Sequence, residues 1–430
     1  MKPTKKKDKK PIKLSEDAKM ELLLNNKMKE METDFDVKEH LVIDLGNAFT
    51  KIGYSGEDMP ILTLPSIYGH YNDNDKKNEI AAFDQKMDVF GYEALEPEYQ
   101  KDYETEFLTP GDHKLKTSTE YLPYLKEILE NRLNLTCSEH DVIINTSPIK
   151  NEENIRALGK LFLDDLGFKA LALMNSSSLS LYSTGRTSGL LVQCGETRTY
   201  TVPIYEGFPL YHAINKIKLG GRDLTNVFKD CVVENNIQIS PEDIYNLRAI
   251  KEKTCCVPVI KPYDYYMDEN NPDIIKEETK LFKLPDDQTI VSIPRKSRLI
   301  ASELLFDPSL IGSEFRGIIK LITNSIKKTE IMDDKLKETL VENIVLSGGT
   351  SMMPGFNDRI RRDLVEYKEE DSEWRLEYEP NVIAENSRYI SKWIGMSMIS
   401  SMSSFDKLFI DKSEYTEIGE EKFAEMAQIF

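Results

Sequence analysis

Residues 41–56 read LVIDLGNAFTKIGYSG, and residues 188–207 read SGLLVQCGETRTYTVPIYEG. In each, an apolar run leads to a polar residue, one further residue and a glycine, and then to a second run rich in β-formers. That pattern predicts a strand, a tight glycine turn and a returning strand. Its recurrence at two distant places predicts a duplicated unit, with Asp44-Leu45-Gly46 and Gln193-Cys194-Gly195 as the corresponding turns. A glycine turn presents backbone N–H groups with little side-chain bulk, so two such turns facing each other would clamp a polyphosphate. Taken singly, either signal is weak, because a glycine-containing hairpin turn is usually just a hairpin turn.

A third segment sharpens the reading. Residues 343–350, NIVLSGGT, form a buried strand running into Ser-Gly-Gly-Thr, a loop that lets a ligand approach the backbone closely. Met352 and Met353 follow, and a thioether there packs well on an aromatic base. Between these segments, residues 119–133 and 152–166 carry helical patterns, and DVIINTS at 141–147 reads as another apolar strand.

The chain has 430 residues with 40% hydrophobic and 30% charged residues, which describes a globular protein large enough for more than one core. The apolar runs are too short for a membrane span, and the charged N-terminus lacks the apolar stretch of a secretory signal. Five scattered cysteines, two of them the adjacent Cys255 and Cys256, have neither zinc-site nor redox spacing and read as free thiols in a reducing compartment. A net charge of −18 argues against nucleic-acid binding by the body of the protein. Residues 1–14 run against that charge, with seven lysines and one aspartate. Such an arm suits nuclear import, an anionic partner such as an acidic tubulin tail, or simple solubility. Ser15 to Thr33 reads as a capped helix with Met20, Leu23, Leu24, Met28 and Met31 near one face, for a partner or for its own body.

In order along the chain stand GYSGEDMP (53–60), LPSIYG (64–69), SLYSTGRTSG (180–189), TVPIYEG (201–207), LGGRDLT (219–225), IKEK (250–253), LFDPSLIG (305–312), IVLSGGTSMMPG (344–355) and KWIGMSMISSMSSF (392–405). Together these blocks closely resemble actin and the actin-related proteins from about Leu41 to Phe430. The resemblance implies an α/β class, the actin fold: two lobes built from duplicated ribonuclease-H-like domains around a nucleotide cleft. The first lobe would take residues 39–181 and 389–430, with a filament-loop subdomain at about 69–105, and the second would take 182–388. Residues 1–38 would be an extension.

The resemblance also implies ATP or ADP, with Mg²⁺, as the cofactor. Carried over by position, the first phosphate loop is Asp44, Gly46, Asn47, Ala48, Phe49 and Lys51, and the second is Gly195, Glu196 and Thr197. The adenosine side is Arg248, Lys251, Glu252, Gly348, Gly349, Thr350 and Met352, with Gly221, Arg222 and Asp223 near the sugar. Asp44 would hold the metal weakly, through water.

The pattern departs where water is activated. The family places a glutamine and a histidine beside the attacking water and two aspartates around the metal's hydration shell. Here Ser176 stands for the glutamine, Tyr200 for the histidine and Gln193 for the second aspartate. Glu196-Thr197 replaces Asp-Gly, a change expected to close or move that loop, Asn47 replaces a serine, and Tyr389 replaces a lysine near the adenine. These changes predict weak or absent hydrolysis with no catalytic residue. Two alternatives stay open: Glu196 supplies the missing charge, or the cleft is empty.

The charged loop HYNDNDKKNEIAAFDQKMDVF at 70–90 replaces an apolar filament contact. Tyr182, Ile394, Met398, Ile399 and Met402 match a groove that receives amphipathic helices in the family, or else they are core. The expectation is a structural subunit of a larger cytoskeletal complex, cytoplasmic or ciliary, with other protein subunits as partners. A hydrolysing filament former and a nuclear chromatin-complex subunit are the alternatives.

Overall fold

The computed structural model describes residues 39–71, 88–96, 103–108, 121–234, 244–259, 280–284, 290–329, 334–370 and 378–427. The basic arm, the helix expected at 15–33 and residues 72–87 of the charged loop lie outside the described residues.

The strand Leu41–Leu45 is apolar on both faces except at Asp44, the composition of a strand covered on two sides. It pairs antiparallel with Phe49–Tyr54 and parallel with Asp141–Thr146, with Ile43 opposite Ile52 and Ile144. The sheet extends in the order Ile410–Asp411, Ala170–Asn175, Asp141–Thr146, Leu41–Leu45, Phe49–Tyr54, Leu62–Pro65.

The second glycine-turn segment builds the same plan. Gly189–Cys194 pairs antiparallel with Thr199–Tyr205 and parallel with Ile344–Ser347, which pairs parallel with Val382–Ile383. In both sheets an antiparallel hairpin donates its first strand to parallel partners from later in the chain. The duplication expected from the mirrored segments is therefore present in the strand order.

Because strand side chains alternate, each sheet buries two faces in separate clusters. Leu41, Ile43, Ile144 and Leu173 face a core with Tyr124, Phe162 and Phe423, while Val42, Ile143 and Met174 face Trp393 and Met396. The Trp393 indole N–H donates to the Val42 carbonyl at 3.2 Å, which satisfies its polar atom in the core. In the second sheet Leu190, Val192, Ile344 and Leu346 face one cluster and Leu191, Val202 and Val345 another.

The expected helices are present with one difference. Tyr121–Lys126 is α-helical and continues as a π-helical turn over Glu127–Arg132, and Glu152–Gly159 continues likewise over Lys160–Asp165. Helix Ser176–Tyr182 crosses helix Ser391–Ser400 closely at Gly395, where a Cβ would stand 2.0 Å from the Leu179 carbonyl oxygen. That crossing brings the head of each helix to the turn ends of the two sheets.

Candidate functional site

Asp44 and Lys51 are direct partners across the first hairpin, so their side chains share a face. The Lys51 ammonium donates to Asp44 Oδ2 at 2.7 Å, both side chains being buried. Gly46 is required at the turn, since a Cβ there would lie 2.5 Å from the Phe49 carbonyl oxygen. Ser66 Oγ donates to the Gly46 carbonyl at 2.7 Å, and the Leu45 N–H donates to Asn145 Oδ1 at 3.2 Å.

The second hairpin is held from behind. Gly195 N–H donates to the Arg198 carbonyl at 2.9 Å and closes the turn. The Thr350 hydroxyl and the Gly221 N–H both donate to the Gly195 carbonyl, each at 2.9 Å, and the Arg222 N–H donates to the Glu196 carbonyl at 2.8 Å. Gly348 has φ of +91°, and a Cβ there would come within 2.1 Å of the Cys194 carbonyl oxygen. Only glycine lets the third strand end so close to the second hairpin.

Contacts also run between the surroundings of the first turn and those of the second. Asn47 Nδ2 donates to Thr197 Oγ1 at 2.6 Å, directly linking the glycine turns. The Arg248 guanidinium lies 4.6 Å from the centre of the Phe49 ring, and that of Arg222 lies 4.1 Å from the Phe107 ring. The expectation is that Glu196-Thr197 closes or moves the second loop; here Thr197 reaches the opposite turn.

Between the turns lies a cavity of about 510 Å³, in the size range of small-molecule sites. Asp44, Gly46, Asn47, Ala48, Phe49, Lys51, Gly195, Glu196, Thr197, Arg248, Lys251, Glu252, Gly348, Gly349, Thr350 and Met352 all line it. Ser176, Gln193, Tyr200 and Tyr389 line it too. Gly221, Arg222 and Asp223 instead stand behind the second turn and support it. Open space adjoins Gly349, where a Cβ would meet nothing within 4 Å.

Arg248 serves two carboxylates, donating to Glu252 at 2.8 Å and lying 3.8 Å from Glu196. Burial works against its charge, but Glu196 and Glu252 hold its pKa above the usual value. The Lys251 ammonium donates to the Gly221 carbonyl at 2.7 Å and to Thr225 Oγ1 at 2.8 Å. Burial lowers its pKa, with Glu196 opposing. Arg248 thus braces the second turn at Glu196, and Lys251 the head of the helix that begins at Gly221 behind it.

Sequence reasoning missed Lys392. It stands in the first turn of helix Ser391–Ser400, lines the cavity and places Nζ 4.0 Å from Asp44 Oδ1. Its signal was a charge at the head of an otherwise apolar block, KWIGMSMI. Burial alone would raise the Asp44 pKa, but Lys51 and Lys392, with hydrogen bonds from Lys51 and Asn145, hold it below the usual carboxylate value. Five buried polar atoms on residues lining the cavity have no hydrogen-bond partner among the described residues: Asp44 Oδ1, Ser176 Oγ, Gln193 Oε1, Arg198 Nε and Arg388 Nε. Buried polar groups are nearly always satisfied, so their convergence points to a polar ligand or water there.

In the expected groove, Ile394 and Ile399 pack on the Trp393 cluster, Met398 and Met402 are exposed, and Tyr182 is half-buried. No helix among the described residues is long and apolar enough to cross a membrane.

Comparison with known proteins agrees with this architecture. A family model described as actin matches residues 35–249 and 243–426. A Dictyostelium discoideum protein named "Putative actin-29" is 30% identical over 397 residues, covering 90% of this chain and 97% of that protein.

Proposed function

The chain belongs to the actin family, and from that premise we propose that its cavity holds ATP or ADP as a structural ligand, with weak or absent hydrolysis. Phosphoryl transfer to water depends on positioned groups that orient the nucleophile and stabilise charge. Ser176 has a short hydroxyl, Gln193 has a neutral carboxamide and Tyr200 packs among Leu191, Val202 and Val345. A bound nucleotide would touch both glycine turns and stabilise the closed arrangement by linkage. The observation that carries this reading is the joining of a nucleotide-sized cavity, bridged by Asn47 and Thr197, to this altered trio.

The protein would then act as a structural subunit of a cytoskeletal assembly. Its two lobes would be residues 39–181 with 389–430, and 182–388, and the groove by Met398 and Met402 would face an amphipathic helix of a partner.

The test is the nucleotide content of the purified full-length protein, denatured and resolved by ion exchange, before and after incubation with Mg-ATP. ATP retained over hours supports the proposal. Steady release of ADP at an actin-like rate, or pelleting of filaments with Mg-ATP and salt, would replace it with a hydrolysing filament former.

A further inference from the structure

In phosphate sites that use a divalent cation, the metal needs anionic oxygens nearby. The cavity fits that requirement poorly. Among its lining carboxylates, Glu196 and Glu252 are engaged by Arg248, and Asp44 sits between Lys51 and Lys392. Gln193 adds an oxygen without charge. Among the described residues no group of three or more His, Cys, Asp or Glu is arranged to hold a metal.

Lys392 is instead placed at the phosphate end, where burial lowers its pKa and the Asp44 carboxylate opposes that by favouring the ammonium. It occupies the second position of its helix, where a positive side chain meets the positive end of the helix dipole. That placement weakens the helix locally and strengthens attraction for an anion. Its ammonium lies too far from Asp44 Oδ1 for a hydrogen bond and forms none among the described residues, so its donors remain for a ligand. One carboxylate facing two ammonium groups leaves this end of the cavity net positive, which repels a divalent cation and attracts a polyphosphate.

We infer that Lys392, together with Lys51, supplies the counter-charge that a divalent cation would otherwise provide, so that the cavity takes a nucleoside polyphosphate without metal. The inference rests on the nucleotide reading above and deepens it. In it, the unpartnered oxygens of Asp44, Ser176 and Gln193 hold water around the phosphates instead of a metal's hydration shell.

The experiment compares equilibrium binding of a fluorescent ATP analogue to full-length wild type, K392Q and K392R, each in excess EDTA and in excess Mg²⁺. Wild type is expected to bind with affinities within about threefold in the two buffers, K392Q to lose roughly tenfold or more in EDTA and regain most of it with Mg²⁺, and K392R to follow wild type. Wild-type binding that falls by about tenfold or more in EDTA overturns the inference and leaves the nucleotide reading standing. K392Q binding unchanged in EDTA overturns it equally. No binding by folded wild type in either buffer removes both readings. Circular dichroism checks that K392Q folds, and if it does not, the wild-type comparison alone decides.

Discussion

Asn47 and Thr197 stand at the tips of the two glycine turns and are joined by a hydrogen bond of 2.6 Å. Each turn belongs to a different sheet, so this bond links the two sheets beside the cavity. Neither residue is the one expected at its position, and together they make a latch that neither half makes alone.

The latch predicts kinetics. Thr197→Val keeps the shape and removes the hydroxyl, costing about 1 kcal/mol and speeding release of a bound nucleotide about fivefold. Asn47→Ala should act similarly, and the double variant should add little to either, because both remove the same bond. Stopped-flow displacement of a fluorescent nucleotide measures all three. Additive effects would show that the two residues act separately.

A second expectation concerns the third strand. Gly348→Ala places a Cβ 2.1 Å from the Cys194 carbonyl at a backbone angle that side chains disfavour. Either the strand end or the second hairpin must shift, and the cost should be at least about 2 kcal/mol. Gly349→Ala meets nothing within 4 Å and should leave the melting temperature nearly unchanged. Thermal denaturation of the two variants side by side separates a local backbone requirement from a general intolerance of the loop.

Much of this architecture was legible because burial on two faces leaves continuous apolar runs, as in Leu41–Leu45 and Gly189–Cys194, and those runs end in glycine turns. The cavity lining was legible where a residue's own type limits its use, as at Gly348 and Lys51. Long-range pairing was not. Asn47 and Thr197 lie 150 positions apart, and nothing local in either segment records the bond. Lys392 escaped notice because its block was read for its apolar face, while the helix crossing at Gly395 decides where its ammonium ends up. Gly221, Arg222 and Asp223 sit one layer back from the cavity because Glu196, longer than the aspartate expected there, reaches over Gly221, its Oε2 lying 2.8 Å from where a Cβ on that glycine would stand. The π-helical ends at Glu127–Arg132 and Lys160–Asp165 have no composition that distinguishes them from continued α-helix.

The thiols offer a third check. Burial, with Glu130 adding to it, pushes Cys137 up to about 11, and burial pushes Cys194 and Cys255 to about 12. At pH 8 these are thiols, unreactive as nucleophiles, and Cys231 is also buried. Cys256 alone is half-exposed. Alkylation of the native protein should therefore modify a single site rapidly, and all five after denaturation. Rapid native modification at two or more sites would contradict the buried placement.

Asp44 makes stability depend on pH in a definite direction. Its folded pKa is depressed relative to the unfolded chain, so its contribution is full above the unfolded value and is lost as pH falls through the folded one. Asp44→Asn leaves Lys51 and Lys392 without their carboxylate and should cost roughly 3 kcal/mol at neutral pH. The gap between wild type and variant should hold steady from pH 8 to about 5 and begin to narrow below about 4, as the carboxyl of the unfolded chain gains a proton, closing further once the folded carboxyl does so at lower pH. Urea denaturation across that range tests it. A gap that stays constant at acid pH would mean that Asn disturbs packing and not charge.

Gln193 and Tyr200 are opposite partners on one hairpin, and Ser176 heads the helix that lines the same end of the cavity. Their standing in place of the groups that the family resemblance puts beside the attacking water is therefore a coherent change at one place, and its reversal is testable. The triple variant Ser176→Gln, Gln193→Asp, Tyr200→His should raise ATP turnover at least about tenfold over wild type, since positioned acid–base and electrostatic groups contribute that much or more. Single variants should do little, because such groups act as a unit. Phosphate release at saturating ATP is the measurement, with and without Mg²⁺. A folded, nucleotide-binding triple variant that stays at the wild-type rate would place the block elsewhere, at the Asn47–Thr197 latch or at Lys392, and adding Thr197→Val or Lys392→Gln to the triple would then show which.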